Sequence, residues 1–133
     1  MSNDHEAQVM AMGAIKCASV GSRVTCNPPP TDTDEDILVL VDKLQPFMLT
    51  AYRAGFEVAG SAPVERWLTT PATLFASLTR GELNLICTET PDFYNRFMAA
   101  SSVAKRLNLM RKDDRIALFQ AVLYGAACDE VPT

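Results

Sequence analysis

The chain is poor in histidine and tryptophan, with one of each, and aromatics make up only 8% of it. Its four cysteines, Cys17, Cys26, Cys87 and Cys128, stand far apart and none belongs to a CxxC pair. A structural zinc site needs four thiolate or imidazole ligands at close spacings, so none is expected. Cys17 and Cys87 sit inside apolar runs and read as buried thiols, whereas Cys26 falls in a loop where exposure is expected. No apolar run approaches the roughly 20 residues that a membrane-spanning helix needs. The stretch Ser2-Asn3-Asp4-His5-Glu6 is polar and acidic and lacks the pattern of a signal peptide. A cytoplasmic protein with free thiols is the expectation. Net positive charge is also missing: the formal balance is −4, so the chain as a whole is no polycation for gripping phosphate backbones. Neither an internal repeat nor a low-complexity segment is present.

What remains is ordinary for a globular protein. The 133 residues, 48% hydrophobic and 21% charged, suffice for one domain with a real core. A single domain over 1–133 is expected, with a helical arm through residue 13 and a frayed tail from 129. One local basic cluster, Lys105, Arg106, Arg111, Lys112 and Arg115, is either a solvated helix end or a patch.

Residues 4–12 are helix formers behind Asp4, and Gly13 stops them. A strand is expected over 15–20. Pro28, Pro29 and Pro30 exclude helix and central strand and make a stiff extended loop, a spacer or a rim over the site. The run 35–41 is too continuously apolar for an edge, so it predicts a strand covered on both faces. A helix then starts at Asp42, with Leu44, Phe47, Met48, Ala51 and Tyr52 on one apolar face and Gly55 at its end. Residues 56–59 read as a strand. Residues 74–78 and 83–87 read as a hairpin around Thr79-Arg80-Gly81-Glu82. Thr90 and Pro91 open another helix, whose buried stripe is Phe93, Phe97, Ala100, Ala104 and Leu107, with Asn108 at its end. The last helix covers 112–124, with Gly125 as C-cap. The sum is an α+β fold, a small mixed β-sheet backed by helices.

Chemistry concentrates in residues 20–41. Gly21 has no Cβ and lets the backbone come close to a ligand. Ser22 offers a hydroxyl, and Arg23 a planar cation suited to phosphate, although a surface role fits it equally. Asp34 and Asp36 are two residues apart, so on a strand they share a side. Two carboxylates held together call for a cation, and a hard divalent ion such as Mg2+ is the usual answer.

The Gly-Ser turn, the spacer and Asp-x-Asp leading into Ile37-Leu38-Val39-Leu40-Val41 resemble the signature of the DNA polymerase β-like nucleotidyltransferase superfamily. Within it, the chain is most similar to small stand-alone nucleotidyltransferases encoded by bacteriophages, also over residues 80–88, 91–94 and 105–125. That resemblance implies a minimal nucleotidyltransferase fold and transfer of a nucleoside monophosphate from a triphosphate to an acceptor. It implies Mg2+ or Mn2+ on Asp34 and Asp36, triphosphate binding by Ser22 beside Gly21, and a third acid on a neighbouring strand. Glu82, opening the segment 82–87, is the candidate for both catalysis and metal binding; a neighbouring acid or Asn84 is the alternative counterpart. The dense run Asp32-Thr33-Asp34-Glu35-Asp36 also leaves Asp32 and Asp34 as an alternative pair.

The acceptor, whether small molecule, protein or RNA, is open at this level. With little room for a second domain, a homodimer or a helper protein is expected, docked on the two last helices, in a host cytoplasm if the chain is phage-encoded. Two other functions compete: an idle nucleotidyltransferase fold that binds a host or phage protein, and a nucleic-acid-binding module using 105–115. Trp67 and Tyr94 suit core packing better than base stacking, and His5 has no role in this reading.

Overall fold

The structure is a computed structural model that describes residues 3–30, 34–58 and 75–123. Its elements are α1 (Asn3–Ala11), β1 (Lys16–Val20), α2 (Ser22–Thr25), β2 (Glu35–Leu40), α3 (Leu44–Arg53), β3 (Glu57–Val58), β4 (Ala76–Arg80), β5 (Leu83–Thr88), α4 (Pro91–Leu107) and α5 (Lys112–Leu123). The strands form one mixed sheet in the order β1-β2-β5-β4-β3. Among the described strands, β2 and β5 run parallel and the other neighbours are antiparallel. The α+β class and the mixed sheet are as the sequence implied.

The two-residue pleat divides β2 between two cores. Ile37 and Val39 face one layer, with Val9 of α1, Phe47 and Ala51 of α3, Leu83, Leu85 and Cys87. Leu38 and Leu40 face the other, with Val20, Ile86, Phe93, Tyr94 and Phe97 of α4 and Phe119 and Leu123 of α5. Both faces of β2 are thus closed, which explains its unbroken apolar run. Phe75 stacks on Phe93 at 5.4 Å, and Phe97 meets Phe119 edge-on at 4.9 Å. Tyr94 is a core residue, with the Lys16 ammonium 4.7 Å above its ring.

Several expectations shift. A one-turn helix, α2, follows Gly21 where the sequence predicts only loop. The third helix begins at Leu44, not Asp42, and the Leu44 N–H donates to Glu89 Oε2 at 2.7 Å. Tyr52 is 71% exposed and Leu107 60%, so neither belongs to its helix's buried stripe. Thr79 and Arg80 lie in β4 rather than in the turn. Arg80 donates to the Ala54 carbonyl and to Gln8 Oε1, both at 2.9 Å, and its guanidinium lies 4.4 Å over the Phe56 ring. It is therefore a brace between β4, α1 and α3. Cys26 is buried, not exposed, because the α4–α5 turn folds over it. Asp32, Trp67, Gly125, Cys128 and the expected tail lie outside the described residues.

Burial pushes the Cys87 thiol from an ordinary 9.0 up to about 12, and it raises the Tyr94 hydroxyl in the same direction. The folded chain then holds these protons more tightly than the unfolded chain. Stability from Cys87 is complete below pH 9.0 and is lost as pH climbs towards about 12. The urea midpoint is expected to fall steadily above pH 9, and Cys87→Ala to flatten that fall; an unchanged slope in the variant would exclude Cys87 as a source.

Candidate functional site

β1 ends where β2 and β5 begin, so three strand termini meet at one end of the sheet. The pairing of Val20 with Asp36, and of Asp36 with Asn84, sets the arrangement. Gly21 leaves β1 at φ 87° and ψ −180°, a conformation almost reserved for glycine. Its missing side chain matters as much: a Cβ there would lie 2.3 Å from Asp36 Oδ2 and 3.1 Å from Asp36 Cβ. The Asp36 carboxylate is seated against the bare backbone of the turn. The Gly21 carbonyl accepts the Val24 and Thr25 N–H groups, which winds Ser22–Thr25 into α2 and places Ser22 directly after that turn.

On its other side the Asp36 carboxylate meets β5. The Asn84 amide donates from Nδ2 to Asp36 Oδ1 at 3.2 Å and to Asp34 Oδ2 at 3.0 Å. One amide nitrogen reaches both acids, so Asp34 and Asp36 do lie side by side, as their spacing required. The donor group occupies the place between them where positive charge is wanted. Both acceptors are carboxylate oxygens, the donor set that suits a hard divalent ion. A rotated Asn84 would present its carbonyl oxygen to the same place, making a third oxygen ligand.

Glu82 is placed differently. It sits in the turn before β5, its carboxylate is 83% exposed, and Oε1 is 3.7 Å from Arg23 Nη2. Its carbonyl accepts the Glu35 N–H at 2.9 Å, which locks the start of β5 to β2. Among the described residues, no cluster of three or more His, Cys, Asp or Glu side chains is spaced to hold a metal ion. The structure therefore groups Gly21, Asp34, Asp36 and Asn84, and pairs Arg23 with Glu82 at the rim. The alternative pair with Asp32 falls outside the described residues.

The opposite face of β2 carries a second set of contacts that sequence reasoning missed. His5 Nδ1 lies 2.9 Å from Glu35 Oε1, and the Ser19 hydroxyl donates to Glu6 Oε2. They fasten α1 behind the site, so His5 has a structural partner. Glu35 Oε2 is buried and has no hydrogen-bond partner among the described residues. Asn84 was visible in the sequence only as an alternative; its signal is the two-residue period of β5, which sets it on the side opposite Leu83 and Leu85.

Asn84→Asp tests the place of the amide. Three carboxylates would then converge, and two hydrogen bonds to charged acceptors would disappear, at about 1–3 kcal/mol. The variant is expected to melt below wild type in chelator and to recover in millimolar Mg2+. Equal melting with and without Mg2+ would contradict a cation position between Asp34 and Asp36.

Compared with protein-family models, with curated proteins and with solved structures, the chain matches none.

Proposed function

We propose that the protein is a metal-dependent nucleotidyltransferase: an acceptor hydroxyl attacks the α-phosphorus of a nucleoside triphosphate, the nucleoside monophosphate is transferred and pyrophosphate leaves. The observation that carries this reading is the Asp36 carboxylate wedged between the Gly21 backbone and the Asn84 amide that also holds Asp34. Asp34 and Asp36 would hold Mg2+ or Mn2+, with Asn84 as a neighbouring oxygen donor, and such an ion would supply positive charge against the phosphoryl oxygens. Gly21 lets the turn close against Asp36, and Ser22 directly after it gives phosphate a hydroxyl beside the acid pair. Arg23 supplies a fixed cation for the outer phosphates. That cation is paired with Glu82 at 3.7 Å. A triphosphate competes for Arg23, and Glu82 is then free to accept the proton of the acceptor hydroxyl.

A second reading keeps the fold and drops the chemistry: a nucleotide-binding or partner-binding protein. The observation that favours it is that Glu82 faces Arg23 while a neutral amide sits beside the acid pair.

The experiment that separates them incubates the full chain with α-phosphate-labelled triphosphates, Mg2+ or Mn2+ and host lysate. Transfer of label that disappears in Asp34→Ala/Asp36→Ala supports the enzyme. No transfer by wild type favours the second reading.

A further inference from the structure

Although the chain carries a net charge of −4, residues 105–112 contain Lys105, Arg106, Arg111 and Lys112 and no acid. They run from the last turn of α4 through the connection to the first residue of α5, and the topology brings this α4–α5 turn to the site. β5 starts beside Asp36 and runs away from it. α4 then returns: its 17 residues span about 25 Å, enough to retrace the roughly 20 Å of a six-residue strand. Its C-terminal end therefore arrives at the end of the sheet that holds Gly21, Asp34 and Asp36.

The turn is bolted there. Asn108, left-handed at φ 50°, accepts the Asn27 N–H on Oδ1 at 2.9 Å and donates from Nδ2 to the Asn27 carbonyl at 3.1 Å. The Cys26 thiol donates to the Leu109 carbonyl at 3.6 Å. Arg115 spans the turn from inside, donating to the Leu109 and Met110 carbonyls at 2.9 Å. Cys26 and Asn27 directly follow α2, the helix that carries Ser22 and Arg23. Lys105 and Arg106 are exposed on this fixed frame, beside Leu107, 60% exposed, and Met110, 46% exposed. Arg111 is partly offset by Asp113 at 3.9 Å.

We propose that this turn is a docking surface for single-stranded nucleic acid, which on the nucleotidyltransferase reading is the acceptor. Cations carried on a rigid backbone frame bind a phosphate backbone by releasing its counterions, with no cost for ordering the frame itself. Leu107 and Met110 offer apolar surface to unstacked bases. A strand lying across the turn would have the Gly21–Asp36 corner beside it, at the same end of the sheet. A lipid surface fits less well, because the apolar stripes of α4 and α5 are already spent on the sheet and neither helix is free to lie in a bilayer.

The test measures fluorescence anisotropy of a labelled 20-nucleotide single-stranded RNA with full-length protein. The variants are wild type, Asp34→Ala/Asp36→Ala, Lys105→Glu/Arg106→Glu and the milder Lys105→Gln/Arg106→Gln. Binding is expected in the first two and is expected to weaken about tenfold or more in both basic-turn variants. The salt slope of the Gln pair is expected to be shallower by about 1.4, at about 0.7 for each phosphate no longer neutralised. No binding by wild type, binding unchanged in both turn variants, or binding to anionic phospholipid vesicles but not to RNA would each overturn the proposal. RNA binding that follows this pattern without label transfer keeps the dock and overturns the nucleotidyl-transfer reading instead.

Discussion

Removing Asp34 and Asp36 together by alanine substitution is expected to lower metal-dependent label transfer by about a thousandfold or more, the scale on which preorganised electrostatic contacts act in transition states. The expected cost in folding is small. Asp34 is exposed and Asp36 only half buried. Their removal relieves the repulsion between two like charges and strands the Asn84 amide, two effects that oppose each other at about 1 kcal/mol each. Loss of activity without loss of stability is the signature to look for: transfer at background level from a protein that melts close to wild type. A variant that unfolds would make the acids structural, and a variant that still transfers label would remove them from the chemistry.

Gly21→Ala is expected to have the largest effect on the fold around the site. Two costs arise from different causes. The backbone at φ 87°, ψ −180° is strained for any residue with a side chain, and the new methyl group would press on Asp36 at 2.3 Å. Strain and overpacking of this kind cost together about 2–6 kcal/mol. A double-mutant cycle separates them. In an Asp36→Ala background the steric part disappears and the backbone part stays, so the loss in denaturation free energy is expected to shrink by about 1–3 kcal/mol. Equal losses in both backgrounds would mean that Asp36 does not rest on the turn.

The sequence could announce such features only where one element carries its own signal. The apolar run of β2 declares its double burial, and Pro91 and Asn108 bracket α4 at its observed ends. The Gly-Ser turn and Asp-x-Asp name the corner where they meet, since the pleat alone puts both acids on one side. α2 was hidden because four residues, Ser22–Thr25, are too short for a helical period. Cys26 looked exposed because its cover comes from Leu109, 83 residues away. Tyr52 and Leu107 satisfy the spacing of a buried stripe, but periodicity cannot say where the neighbouring layer ends. Glu82 shows the same limit at the site: counting back from Asn84 sets it on the same side, but it lies in the turn before β5 and its carboxylate reaches Arg23. Strand order, with β5 beside β2, depends on pairing between distant segments and has no local signature.

The central claim is that Asp34, Asp36 and the Gly21 turn together form a seat for a divalent ion and a triphosphate. Its most direct test is titration of Mn2+ followed by electron paramagnetic resonance, with and without a non-hydrolysable triphosphate. Wild type is expected to bind Mn2+ saturably, and with the nucleotide present to bind more than protein and nucleotide do separately, while Asp34→Ala/Asp36→Ala adds nothing to the Mn2+ bound by the nucleotide alone. Identical titrations of wild type and the double variant would contradict the account.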